Sequence, residues 1–209
     1  MIGPVAPLVF VVDDDPSVRK SLARLIATDG YKVETFASAR EFLARPLPEG
    51  PCCLVLDVRM PGLTGLALQE ALAASRNRLS IVFITGHGDV ASTVKAMKGG
   101  AIDFLTKPVN ARVLLSAIER GVSTDRQSRQ KQAKIAELQD RIKTLTAREA
   151  EVFALVVTGM LNKQIASDLG ISEKMVKVHR GRVMQKMRAG SLAELVRLAD
   201  QGGVMVAKP

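Results

Sequence analysis

The chain carries two cysteines, two histidines, one tyrosine and no tryptophan. Cys52 and Cys53 are neighbours in an apolar stretch, and neighbouring strand residues point to opposite faces of a sheet. They are therefore expected as buried core thiols rather than as a disulfide. His87 lies between glycines, where an imidazole has the chemistry of a metal ligand or a base. No second His or Cys stands at metal-ligand spacing from it, so it reads as a loop residue. No apolar run approaches the roughly 20 residues that a membrane span needs. Met1 to Pro7 has no basic start followed by a long apolar stretch, so no signal peptide is expected and the compartment reads as cytoplasmic. No internal repeat or low-complexity tract is visible.

What is present is ample material for globular cores, with 47% hydrophobic residues in a chain of 209. That length suits one large domain or two modest ones. The net charge of +9 is unevenly spread. Lys and Arg exceed Asp and Glu by two over residues 1–121, by three over 122–145 and by four over 146–209. The second half is basic for its length, which suits a polyanion without choosing among DNA, RNA and an anionic membrane.

Residues 8–121 alternate strand and helix patterns five times. Short runs rich in Val, Ile, Leu and Phe predict strands near 8–12, 31–36, 52–56, 80–85 and 102–105, as expected where both faces are covered. Helical patterns such as Leu22, Leu25, Ile26 and Leu66, Leu68, Leu72 lie between them. Ser38-Ala39-Arg40-Glu41 is a capping-box pattern opening the second helix. Five βα units of this length predict a doubly wound parallel sheet.

From Val122 to Thr144 the composition turns polar, while Ile135, Leu138, Ile142 and Leu145 recur at seam spacing. This predicts a helical linker over 122–145. It is either a solvated helix with one weakly apolar stripe or a continuation of the fifth helix into a partner-contacting rod. Residues 146–209 read as a helical domain. Thr146-Ala147-Arg148-Glu149 and Ser191-Leu192-Ala193-Glu194 are capping boxes. Asn162 is expected to cap a short helix ended by Gly170, and Ser172 the longer one after it, to about Arg188. A short helix, a glycine-containing turn and a longer helix make a helix-turn-helix.

The strand ends carry the chemistry. In an open parallel α/β sheet the carboxyl ends of the strands border the ligand crevice. Asp13 and Asp14 follow the first strand, Asp57 the third, Thr85 the fourth and Lys107 the fifth. Three carboxylates, a hydroxyl and an ammonium aimed at one place make a magnesium-assisted phosphoryl-transfer site with an aspartate as acceptor. Such catalysis is mainly positioning and charge neutralisation. Mg2+ takes near-octahedral oxygen ligands, which Asp13, Asp14, Asp57 and the backbone carbonyl of Arg59 can supply. Lys107 would offset charge on the phosphoryl oxygens and Thr85 would hydrogen-bond one of them. Asp15 reads as a helix cap.

These residues sit in Val-Val-Asp-Asp-Asp at 11–15, Leu-Asp-Val-Arg-Met-Pro-Gly at 56–62, Ile-Thr-Gly-His-Gly-Asp at 84–89 and Ala-Met-Lys-Gly-Gly-Ala-Ile-Asp-Phe-Leu-Thr-Lys-Pro at 96–108. Residues 8–121 thereby resemble the receiver domain of bacterial two-component response regulators, specifically the NarL/FixJ group and its FixJ branch. The resemblance implies a flavodoxin-like sheet of strand order 2-1-3-4-5, with Asp57 as the phosphorylation site. It makes Asp14 the direct metal carboxylate, with Asp13 assisting through water. It also implies that Phe104 is an aromatic switch moving with Thr85, although an aromatic on the last strand can equally be core.

Residues 146–200 resemble the LuxR-type helix-turn-helix of the same group through Leu-Thr-Ala-Arg-Glu at 145–149, Asn-Lys-Gln-Ile-Ala at 162–166, Val-Lys-Val-His-Arg at 176–180 and Met-Gln-Lys-Met at 184–187. Met175 departs from the Thr frequent there, and Gly181 stands where some members carry a basic or polar reader. Helical geometry turns Val176, Arg180, Val183 and Met187 to one side, inward. Lys174, Lys177, Val178, Gly181, Gln185 and Arg188 fall on the other, which can enter a major groove. Lys177 can donate to guanine O6/N7 and Val178 can touch a thymine methyl, while Lys174, Arg182 and Arg188 suit phosphates. Lys163 adds a phosphate contact at the preceding helix, and His179 reads as structural.

The leading expectation is a transcription regulator whose receiver, switched by Mg2+-dependent phosphorylation of Asp57, dimerises and binds promoter DNA. The receiver would catalyse only its own phosphorylation and dephosphorylation. Expected partners are double-stranded DNA, a sensor histidine kinase as phosphodonor, a second copy of the chain and, as a candidate, RNA polymerase. The resemblance places that dimer face near Val94, Lys95, Ile102 and Asp103. An aspartyl-phosphate hydrolase is the rival, but such enzymes commonly carry a second Asp where Arg59 stands. A third reading, a phosphorylation-independent DNA binder with a vestigial receiver, conflicts with the complete residue set.

Overall fold

The computed structural model describes residues 6–75, 79–86 and 88–204, so His87 and the chain end at 205–209 lie outside the described residues. Strands β1 (Leu8–Val12), β2 (Lys32–Phe36), β3 (Cys52–Asp57), β4 (Ser80–Thr85) and β5 (Asp103–Thr106) alternate with helices α1 (Pro16–Thr28), α2 (Ala39–Leu43), α3 (Gly65–Ala74), α4 (Val90–Lys98) and α5 (Ala111–Lys143). The strands form one sheet, ordered β2-β1-β3-β4-β5, and each adjacent pair is parallel. This is the flavodoxin-like order expected. The chain reverses its winding between β1 and β3, which is where such sheets open their crevice.

Strand alternation divides the apolar residues between two layers. Phe10, Val12, Leu54, Leu56 and Phe83 pack with Phe42, Leu68, Leu72 and Ala96 from α2, α3 and α4. Val9, Val11, Val55, Val82 and Ile84 pack with Leu22 and Ile26 of α1 and Leu114, Ile118 and Val122 of α5 on the other face. Cys52 and Cys53 fall one in each layer, both buried and free. Burial, then the neighbouring Asp125, pushes the Cys52 thiol up to about 11, so it stays neutral. β3 is buried along its whole length, and Asp57 pairs in register with Ile84, so Asp57 belongs to the strand itself.

The chain divides into compact units at residues 1–129 and 130–209, and the boundary falls inside α5. Residues 122–143 continue the fifth receiver helix. The first turns of that stretch belong to the receiver. Asp125, buried, accepts from Cys52 N at 2.9 Å and from Arg129 Nε at 2.6 Å. Arg129 in turn donates to Pro48 O at 2.9 Å and Glu49 O at 3.1 Å. Leu138 is buried in the core of the second unit, and Ile142 and Leu145 pack against the same core. Three of the four seam residues of the linker, Leu138, Ile142 and Leu145, are therefore used within the chain.

That second core is completed by α6 (Ala147–Val156), α7 (Asn162–Leu169), α8 (Glu173–Met187) and α9 (Leu192–Gln201), the four-helix domain expected. Thr146 and Glu149 form a full capping box, Glu149 N donating to Thr146 Oγ1 at 3.3 Å and Thr146 N to Glu149 Oε2 at 2.9 Å. At Ser38 and Ser191 the cap is made, but the glutamate reaches one residue further back, to Ala37 N and Gly190 N, both at 2.8 Å. Asn162 does not cap α7. Leu161 holds the cap position, its N–H donates to Gln164 Oε1 at 2.8 Å, and Asn162 is the first helical residue. The Asn162 carboxamide is engaged elsewhere, accepting from Arg180 Nη1 at 3.2 Å. Gly170 ends α7 at φ 63°, and Ser172 caps α8 as expected.

Candidate functional site

Asp57 sits at the carboxyl end of β3, 4% exposed, between β1 and β4. Its Oδ1 lies 2.9 Å from Lys107 Nζ, and its Oδ2 accepts from Arg59 N at 3.0 Å. Lys107 Nζ also lies 2.7 Å from Oδ2 of Asp13, which is fully buried. Asp13 Oδ1 accepts from Asp15 N at 2.9 Å. Lys107 comes from the loop after β5, where its N–H donates to Thr85 O at 2.7 Å and the Lys107–Pro108 peptide is cis. Asp13, Asp57 and Lys107 are thus brought together from three strand ends, as the sequence predicts. Asp14 is exposed beside them, and Asp15 caps α1 by accepting from Ser17 N at 2.7 Å.

Burial is the largest influence on Asp57 and raises its carboxyl above the ordinary range, while the Lys107 contact and the Arg59 N–H pull it down and Asp13 pushes it up. Lys107 is raised as well. Burial opposes its charge, but the bonds to Asp13 and Asp57 more than offset that. The arrangement keeps a positive group between two buried carboxylates, which like charges at such range require.

Among the described residues no three Asp, Glu, His or Cys side chains converge as a preformed metal cluster. Two of the expected metal carboxylates share Lys107 instead. The donor chemistry nonetheless fits a hard cation, because Asp13, Asp14, Asp57 and the Arg59 carbonyl offer oxygen alone, the set that Mg2+ selects. The Arg59 side chain is turned to Asp89, with Nη2 3.9 Å from Oδ2.

Thr85 is fully buried at the end of β4. Phe104 on β5 is half-buried and meets Phe83 with ring centroids 6.1 Å apart. A Cβ placed on Gly88 would lie 3.6 Å from Phe104 Cε1 and 3.7 Å from Thr85 Cγ2, so both side chains border the same glycine. One positioning residue escaped the sequence reading. A Cβ at Gly65 would stand 2.2 Å from Asp57 O, so only glycine lets α3 start against the Asp57 backbone. Gly65 N donates to Val58 O at 3.0 Å in the same turn. The signal was the glycine opening an apolar helix eight residues after Asp57, which is weak alone.

In the second unit, Val176, Val183 and Met187 are buried under α8, while Arg180 is half-buried on Asn162. Lys174, Lys177, Val178, Gly181, Arg182, Gln185 and Arg188 are all exposed, as is Lys163 on α7. Arg188 ends α8 at φ 53° and sits 3.5 Å from Glu137 Oε1. His179 is half-buried, and its Nδ1 is shielded from solvent with no hydrogen-bond partner among the described residues. An inward apolar stripe and an outward basic face on one helix give a surface that a DNA groove can accept.

A five-stranded parallel sheet with a buried strand-end aspartate, joined to a helical domain carrying a helix-turn-helix, is the architecture of a receiver linked to a DNA-binding domain. Comparison with known proteins agrees for both units. The family described as "Response regulator receiver domain" matches residues 9–119, and "Bacterial regulatory proteins, luxR family" matches 143–199. Nodulation protein W of Bradyrhizobium diazoefficiens is 49% identical over 197 residues, which cover 94% of this chain and 87% of that protein. Transcriptional regulatory protein FixJ of Azorhizobium caulinodans is 45% identical, covering 94% of this chain and 93% of its own. The solved structure of response regulator StyR is similar at TM-score 0.84 and 49% identity, covering 94% of this chain and all of that one. The chain belongs to the FixJ-like two-component response regulators, transcriptional regulators that join a receiver to a LuxR-type DNA-binding domain. Among the described residues no helix is long and apolar enough to cross a membrane.

Proposed function

We propose that Asp57 accepts a phosphoryl group, that this drives two receivers together, and that the paired chains bind promoter DNA. The observation that carries the first step is the buried Asp57 carboxylate held by Lys107 at 2.9 Å. One Asp57 oxygen attacks phosphorus, the bond from phosphorus to the donor group breaks, and the donor leaves with the electron pair. Lys107 then faces a phosphoryl oxygen instead of a carboxylate alone. Mg2+, bound by Asp13, Asp14, Asp57 and the Arg59 carbonyl, would lower the repulsion between the two anions. A sensor histidine kinase is the natural donor for a receiver of this family.

Thr85 and Phe104 carry the change outward, to the face made by α4 and β5. Val90, Val94 and Met97 recur at helical spacing on α4 and are exposed, Val90 by 80%. Together with Lys95, Ile102 and Asp103 they offer an apolar strip with charged edges, which suits a second copy of the same face. Lys177 and Val178 read base edges, and Lys163, Lys174, Arg182 and Arg188 hold phosphates. RNA polymerase is the further partner a bound activator would meet.

The test is chemical labelling with acetyl phosphate. The full chain should take up one phosphoryl group with magnesium and none with a chelator, as a base-labile adduct, and Asp57→Asn should take up none. Stoichiometric labelling of Asp57→Asn would end the proposal. Sustained phosphate release from small phosphomonoesters would favour the hydrolase instead.

A further inference from the structure

Among the described residues two glycines lie in the interior of long helices, Gly121 in α5 and Gly181 in α8. A glycine there lowers helix stability relative to alanine. At Gly121 packing supplies the reason, since a Cβ would stand 2.6 Å from Cys53 Sγ. At Gly181 nothing among the described residues does. Beyond its chain neighbours and the adjoining helix backbone, no described heavy atom lies within 4 Å of the Cβ position, and the backbone φ is not in the left-handed region. Gly65 meets Asp57 O and Gly99 meets Gln69, so these too are explained internally.

Gly181 stands in the middle of the exposed face of α8. Lys177 and Val178 lie one turn before it, and Gln185 one turn after. The side chains around it are long or apolar, and the position itself is bare backbone. A bare patch flanked by basic side chains fits a surface that comes closer than a side chain allows, and the flanking charge selects a polyanion.

We propose that Gly181 is a specificity-determining notch, where the backbone of α8 comes against the edge of a base pair in the major groove. The notch lets α8 sit deep enough for Lys177 and Val178, one turn before it, to reach base edges. A methyl group at position 181 lifts the helix away from the bases while leaving the phosphate contacts of Lys163, Lys174 and Arg182 within reach. Specific binding then falls and non-specific binding persists. The inference rests on reading α8 as the DNA-contacting helix.

The experiment uses the full chain and a duplex that the wild-type chain selects from random-sequence DNA, with a scrambled duplex beside it. Gly181→Ala should raise the thermal midpoint of the second unit, because alanine favours helix. It should weaken the selected duplex by about tenfold, the order of one spoiled base contact, and change the scrambled duplex little. Gly181→Leu should abolish the preference between the two. Full-affinity binding of the selected duplex by Gly181→Ala overturns the proposal, as does an equal loss on both duplexes. Lys177→Ala separates the two levels. If it and Gly181→Ala both leave the selected duplex untouched, α8 is not the reading helix. If only Lys177→Ala weakens it, α8 reads DNA and the notch alone is wrong.

Discussion

Lys107 Nζ lies 2.7 Å from Asp13 Oδ2 and 2.9 Å from Asp57 Oδ1, so one ammonium serves two buried carboxylates. The cluster is short of positive charge, and burial leaves the Asp57 carboxyl raised. A folded-state pKa above the unfolded 3.8 means that its stabilising contribution is complete below 3.8 and is lost as pH rises through the raised value. At neutral pH the ionised Asp57 therefore opposes folding of the receiver. Asp57→Asn should raise the receiver's thermal midpoint by a few degrees at pH 7. The gain should vanish near pH 3.5, within the acid range where Asp57 is protonated in both states. A lower midpoint at pH 7 would show that Lys107 holds Asp57 more strongly than burial resists it.

The receiver extends past the sheet along α5, to Arg129. Asp125 satisfies the N–H of Cys52, the first residue of β3, and pairs with Arg129, which holds the backbone at Pro48 and Glu49. Asp125→Ala leaves a buried N–H unpaired and a guanidinium without its carboxylate. It should cost the receiver about 1–3 kcal/mol in a denaturant titration. A fragment of residues 1–129 should likewise melt above one of residues 1–121. Equal stability of the two fragments would show that the Asp125–Arg129 contacts contribute nothing.

The proposed dimer face should respond to charge. Val94→Lys places an ammonium in the exposed strip of α4 without touching Asp57 or Lys107. Sedimentation of the full chain should show mass doubling with acetyl phosphate and magnesium for wild type, and none for Val94→Lys, with equal labelling of both. Leu138 is buried and Ile142 packed in the second core, so these two seam residues are not free to hold a phosphate-independent pair. Doubling of the labelled variant would move the interface elsewhere.

Much of this was legible in the sequence because the strands are short, apolar and each followed by a chemically distinct residue. Asp13, Asp57, Thr85 and Lys107 could be placed together because parallel strands end on one side. What escaped depends on contacts distant in sequence. Gly65 matters through the carbonyl of Asp57, and Asp125 through Cys52, 73 residues away. Gly65 leaves only the weak local signal of a glycine opening an apolar helix, and Asp125 leaves none. Asn162 was misplaced by one residue because Leu161 has no side-chain acceptor, and Gln164 does the capping from inside the helix.

The second unit has its own pH dependence. Glu149 accepts from Lys186 Nζ at 2.6 Å and from Thr146 N at 2.9 Å, and these hold its carboxyl below the usual 4.5. A lowered folded-state pKa gives stability that is present above 4.5 and is lost as pH falls through the folded value. Glu149→Gln keeps an acceptor for Thr146 N but removes the charge pair. The variant should melt lower than wild type at pH 7 and match it in strong acid. Glu149→Ala, which also loses the reciprocal cap, should cost about 1 kcal/mol more at either pH. A Glu149→Gln deficit that persists in strong acid would assign the effect to shape rather than charge.

Arg188 combines a helix-end position with the proposed phosphate contact, and one substitution probes both. It ends α8 at φ 53°, a conformation that glycine adopts without strain and arginine does not. Its guanidinium is exposed and 3.5 Å from Glu137, an ion pair of little worth in solvent. Arg188→Gly should therefore raise the thermal midpoint of the second unit while removing a phosphate contact. Affinity should fall nearly alike for specific and scrambled duplexes, and the slope of log affinity against log salt should shrink by about one. Lys177→Ala makes the opposite pattern, losing the preference between duplexes with little change in stability, since its side chain is exposed. Titrations of both variants at several salt concentrations separate positioning from reading. A sequence-selective loss in Arg188→Gly would make Arg188 a base reader and overturn its assignment to the phosphates.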